Sequence, residues 1–149
     1  MTSKLGLEQE IIFTDKKGWV RNSRDVLDDP RLQTAEFFDE EGLLCQGEVK
    51  TNPFETVTET ILDLYFKLRF VDFVSQEHGA YAVPMSEVGA GKGQHNLINP
   101  KVRDRITIYN QLFGKDNVIS LLSNSGGHGH FSHLPHQAAS QQVLLNSLE

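Results

Sequence analysis

A single cysteine, Cys45, stands in the 149 residues of this chain, and that scarcity excludes an intrachain disulfide and a thiolate zinc site. Basic residues are few as well: 14 Lys and Arg against 20 Asp and Glu leave a formal charge of −6. Without a Lys/Arg cluster, binding of nucleic acid through a cationic face is disfavoured. No apolar run approaches the roughly 18 residues of a membrane span, which argues against a membrane partner. The Met-Thr-Ser-Lys start lacks the apolar core of a secretion signal, so a reducing, cytoplasmic setting is expected. There is no internal repeat and no low-complexity tract. What remains is an ordinary globular composition, 38% hydrophobic and 23% charged. One domain over residues 1–149 is expected, and a chain of this length buries enough surface to fold without staples.

The pattern along the chain reads as mixed α and β. A strand is predicted over about 5–14, ending at Asp15-Lys16-Lys17-Gly18, with Trp19-Val20 as a short return. Residues 21–33 read as a loop with a helical turn, broken at Asp28-Asp29-Pro30. Strands over 34–38 and 43–51 flank Asp39-Glu40-Glu41-Gly42 and suit a hairpin. A long helix follows, with Asn52 as cap, Pro53 in first position, Glu55 as the capping-box acid and Gly79 as stop. Val57, Ile61, Leu64, Leu68 and Val71 form its apolar stripe, and Phe54, Tyr65, Phe66, Phe70 and Phe73 are expected to thicken it as core. A strand over 80–84 leads to a flexible glycine-rich loop, Ser86–Asn96. A second helix, capped by Asn99 and opened by Pro100, should turn Val102, Ile106, Tyr109 and Leu112 inward and stop near Gly114. Residues 118–122 read as a buried strand, 128–133 as another, and Pro135–Leu148 as a last weak helix. Cys45 is expected inside, because its strand parity opposes that of Glu48.

Four segments carry candidate chemistry. In Leu7-Glu8-Gln9-Glu10-Ile11, alternation puts Glu8 and Glu10 on one strand face, where two carboxylates repel unless water or a cation lies between them. In Gln46-Gly47-Glu48-Val49-Lys50, the residues Gln46, Glu48 and Lys50 share a face. In Gly127-His128-Gly129-His130-Phe131-Ser132-His133, alternation converges His128, His130 and Ser132. Imidazole binds metals and donates hydrogen bonds to phosphate. Each segment also fits a solvated strand face. The loop around Lys92 is not a P-loop, since Gly93 follows the lysine, yet it could wrap phosphates or act as a lid. Glutamates with histidines leave zinc and magnesium both open. No nucleophile elbow is present, and nothing places Cys45 beside a histidine.

The order of these segments, Gly-Leu-Glu-Gln-Glu near the start, Gly-Glu-Val-Lys-Thr-Asn-Pro before a long helix, then Gly-Gly-His-Gly-His, resembles the carboxylate–amine (COOH–NH2) ligases of the glutamate–cysteine ligase and glutamine synthetase superfamily. The resemblance covers about residues 5–133, and the chain looks like the N-terminal part of a longer ligase domain, or a shortened member. It implies an α+β fold: an antiparallel sheet curved as a half funnel, with helices packed on its outer face. It also implies that Glu8, Glu10, Glu48 and His130 ligate Mg2+ (or Mn2+), and that His128 and His130 contact metal or phosphate. Lys50, Lys92, His128 and Ser132 are the implied ATP-binding residues, with Glu8, Glu10, Glu48, His128 and His130 catalytic. The implied activity is ATP-dependent amide formation between a small-molecule or peptide carboxylate and an amine through an acyl phosphate. Because related ligases are longer, a noncatalytic nucleotide- or metal-binding domain of the same fold is the alternative, a metal-dependent hydrolase a more distant one. A homo-oligomer completing the sheet also stays open.

Overall fold

The computed structural model describes residues 3–85, 95–114, 117–118, 122 and 126–132. The glycine-rich loop with Lys92, the turn at 123–125, His133 and the expected helix over Pro135–Leu148 lie outside them.

The elements are β1 (Leu5–Thr14), α1 (Arg24–Leu27), α2 (Pro30–Gln33), β2 (Phe38–Glu40), β3 (Gln46–Lys50), α3 (Val57–Glu77), β4 (Tyr81–Val83), two 3-10 turns (His95–Leu97 and Pro100–Val102), α4 (Arg103–Phe113) and β5 (Gly127–Phe131). The fold is α+β, as expected. Its five-stranded antiparallel sheet runs β2-β3-β1 and then divides: β4 pairs with the C-terminal part of β1, and β5 with its N-terminal part. The long β1 is therefore the spine of the sheet.

One face packs on the helices. Ile11 and Phe13 of β1, Val49 of β3 and Phe38 of β2 join Val71 and Val74 of α3 with Val26, Leu27 and Leu32 of the short helices. Gly47 is required here, since a Cβ would stand 2.6 Å from the Phe38 ring. On the other face a smaller cluster gathers Ile12, Leu43, Cys45 and Leu97. Cys45 is fully buried, but it lies before β3 and packs beside Ile12, so the parity argument for its burial does not apply. Burial pushes its thiol pKa up to about 12, well away from a reactive thiolate.

Several expectations shift. Residues 21–33 hold two helical turns, and Asp29 caps the second by accepting from the Arg31 N–H. The hairpin forms, but its first strand is Phe38–Glu40 rather than 34–38. The long helix starts four residues later than predicted, because Thr56 rather than Asn52 is the cap. The Thr56 hydroxyl accepts from the Glu59 N–H and donates to the Glu59 carboxylate at 2.6 Å. Gly79, at φ +69, ends α3 as expected.

The inward stripe of α3 is wrong at its start. Val71 and Val74 are buried and Leu64 and Leu68 partly so, whereas Val57, Ile61, Tyr65, Phe66, Phe70 and Phe73 are exposed. Asn99 and Pro100 open the next helical segment as predicted, but Leu112 of α4 points to solvent. Val118 and Leu122, the described part of the expected strand 118–122, are helical. Among the described residues no helix is long and apolar enough to cross a membrane.

Candidate metal and nucleotide site

Antiparallel pairing places directly opposed residues on the same face, and the register of β1 therefore builds the site. Glu8 stands opposite Lys50 on one side and His128 on the other; Glu10 stands opposite Glu48, and Gly6 opposite His130. Asp39 of β2 extends the Glu10–Glu48 row. All of them lie on the face turned away from α3. Segments some 40 and 120 residues apart in sequence thus meet along three rungs of the sheet.

Two sets of donor atoms converge within 4.8 Å of one another: Glu8, Glu48 and His128, and Glu10, Glu41 and Glu48. Glu48, 9% exposed, belongs to both. Magnesium–oxygen distances of about 2.1 Å put donors on opposite sides of one ion about 4.2 Å apart, so each set is near the size a hard divalent ion needs. Carboxylate oxygens with one imidazole also suit such an ion chemically. Neighbouring groups hold the donors. The Gly126 N–H donates to a Glu10 oxygen at 2.7 Å, and His130 Nε2 lies 2.9 Å from Glu8 Oε2. His130, 61% exposed, is in neither set and contacts Glu8 from beside it, while His128 belongs to the first set.

The electrostatics differ between the sets. The hydrogen bond from His130 holds the Glu8 carboxyl below its usual range against the opposing effect of burial, helped by the charges of His130, Lys50 and His128. Glu41 moves the other way: burial raises its pKa, and the facing carboxylates of Glu48 and Glu10 raise it further. The Lys50 ammonium reaches Asp39 at 2.5 Å and Glu48 at 3.2 Å, and these contacts raise its pKa.

Two openings flank the carboxylates. A groove of about 340 Å3 runs over Gly6, lined on this face by Lys4, Glu8, Lys50, His130 and Ser132. Its floor is low because Gly6 has no side chain; the nearest atoms to a Cβ there would be Thr51 Oγ1 at 3.9 Å and His130 Cβ at 4.0 Å. Ser132 borders the groove, but its hydroxyl accepts from the Lys4 N–H at 2.7 Å and so ties the strand ends together. On the far side a cleft of about 170 Å3 is lined by Glu10, Glu41, Gly42, Gln46, Arg105, Tyr109 and Leu122. Sequence reasoning missed Glu41 and Arg105. The acidic run Asp39-Glu40-Glu41 just before Glu48 is the available signal, but in sequence it reads as the hairpin connection. Lys92 is outside the described residues.

The sheet and its helices match parts of two much longer solved proteins in fold. The chain is similar to a bifunctional glutathione synthetase from Pasteurella multocida at 18% identity and a TM-score of 0.64, covering 97% of this chain and 19% of that one. It is also similar to a glutamate–cysteine ligase from Francisella tularensis, solved in complex with AMP, at 14% identity and a TM-score of 0.58, covering 99% and 30%. The likeness is one of fold, and the chain spans less than a third of either protein. No family model matches the chain, and no curated protein matches it.

Proposed function

We propose that this chain carries the metal- and nucleotide-binding part of an ATP- and Mg2+-dependent carboxylate–amine ligase, its sheet forming one half of a funnel. The observation that carries the reading is the convergence of Glu8, Glu48 and His128, and of Glu10, Glu48 and the loop residue Glu41, beside one sheet face. The fold shared with part of a glutamate–cysteine ligase supports it.

In this reading Glu8, Glu10, Glu41, Glu48 and His128 hold Mg2+ or Mn2+, which supplies charge stabilisation to phosphoryl oxygens. His130 fixes Glu8. The groove over Gly6 takes the ATP phosphates, with Lys4 and Lys50 as cationic flanks. ATP transfers its terminal phosphoryl group to a substrate carboxylate, and an amine then displaces phosphate to form the amide. Because the chain spans 19% and 30% of the two ligase chains, a second reading is kept: a noncatalytic domain that binds metal and nucleotide without turnover.

Calorimetry with Mn2+ and a non-hydrolysable ATP analogue tests the shared part. Binding of both is expected, and both should be lost in Glu48→Gln. Phosphate release that rises when a carboxylate and an amine are supplied favours the ligase; binding without release favours the domain alone. Absence of metal binding by a folded wild-type chain refutes both readings.

A further inference from the structure

The helix α3 is amphipathic in an unusual sense: buried on one side and still apolar on the other. Val57, Ile61, Leu62, Tyr65, Phe66 and Phe73 are each between 50 and 67% exposed. At those exposures, three aromatic side chains of about 150–250 Å2 each, together with the three aliphatic ones, make a patch of roughly 650 Å2. An ordinary monomer's largest apolar patch is about 300–600 Å2, and each partner in a standard interface buries about 800 Å2. The face is thus just above the monomer range and at the lower end of the roughly 600–1,000 Å2 that one side of a standard interface buries.

We infer that a second copy of this chain docks here, α3 against α3, antiparallel about a two-fold axis. Residues four apart form ridges, Val57–Ile61–Tyr65 beside Leu62–Phe66, with a groove between them. Identical helices can seat such ridges in each other's grooves, the commonest helix packing in globular proteins. The charges support the antiparallel sense. Glu59, whose carboxylate accepts from the Thr56 hydroxyl, lies toward one end of the stripe, and Arg69, 66% exposed and only 3.6 Å from Asp72 on its own helix, toward the other. A two-fold axis near residue 64 brings Arg69 of each copy to the end where the other carries Glu59. A membrane surface fits poorly, because the chain is net acidic at −6. The inference stands apart from the ligase reading, since α3 covers the sheet face opposite the carboxylates.

Sedimentation velocity of the full chain over a concentration series tests it. A monomer–dimer equilibrium is expected, and Phe66→Glu should weaken association at least ten-fold with unchanged circular dichroism and unchanged Mn2+ binding. Under mild oxidation Tyr65→Cys, next to the axis, should cross-link as a covalent dimer. Val57→Cys should not, and the buried Cys45 should stay silent. A wild-type chain that is monomeric throughout, an undiminished dimer in Phe66→Glu, or cross-linking at Val57 in place of Tyr65 overturns the proposal.

Discussion

The two faces of the sheet obey opposite rules although they share the same strands. Beneath it, Ile11, Phe13 and Val49 are fully buried against Val71 and Val74 of α3, and each such side chain contributes stability by leaving water. Above it, Glu8, Glu10, Glu41 and Glu48 crowd within reach of a few counter-charges. Among them Glu41 is the unfavourable one: burial raises its pKa and the facing carboxylates of Glu48 and Glu10 raise it further, whereas His130 offsets that cost at Glu8. A fold under selection for stability alone would not concentrate acid there. The contrast separates residues that hold the sheet from residues the sheet holds.

Substitutions should therefore act with opposite signs on the two faces. The largest effect is expected from Phe13→Ala, which empties a fully buried site and should cost about 3–5 kcal/mol in urea unfolding. Next, Mn2+ at a hundred times its dissociation constant should raise wild-type stability by about 2.7 kcal/mol. Glu48→Gln should abolish that increment while folding normally, and a retained increment would exclude Glu48 as the shared ligand. Thr56→Ala removes the cap of α3 and should cost about 1 kcal/mol, measurable by the same unfolding series. The smallest change should be a gain: Glu41→Gln relieves repulsion and should stabilise the metal-free chain at neutral pH.

The pH dependence sharpens the same comparison. Glu41 has a raised folded pKa, so its unfavourable contribution sets in as pH rises through the ordinary carboxylate range, and the gain in Glu41→Gln should vanish below that range. Asp29, on the helix side, behaves oppositely. Hydrogen bonds from Arg31 and His78 hold its pKa far below normal, so its stabilisation is present above the ordinary carboxylate range and is lost as pH falls below it. Acid unfolding followed by fluorescence in Asp29→Asn should show a weaker acid-dependent loss than the wild type.

Much of this was legible in residue order. The bounds of β1, the shared face of Glu8 and Glu10, the hairpin and the stop at Gly79 follow from alternation and from local backbone preference. Local preference does not fix the cap of α3, because Asn52-Pro53 and Thr56-x-x-Glu59 are both plausible starts. The first competes poorly once the Asn52 N–H is held by Asp63 at 2.9 Å. The solvent face of α3 does not follow from periodicity, since apolar and polar side chains alternate round the whole helix and the pattern does not say which side meets the sheet. Glu41 was missed because it lies outside any regular element and reaches the site only through the path of the chain between β2 and β3.

Sequence alone determined which strands could exist and which of their residues would stand on the same side, because a period of two is a local property of extended backbone. It also supplied the acids and imidazoles. Only the tertiary structure decided the partners: that Glu8 meets His128 while His130 falls one rung away, that Glu48 serves two clusters, and that α3 leaves its aromatic side to solvent. Strand register and helix rotation are set by packing between distant segments, where many small contact energies add up. No short window of residues contains that sum.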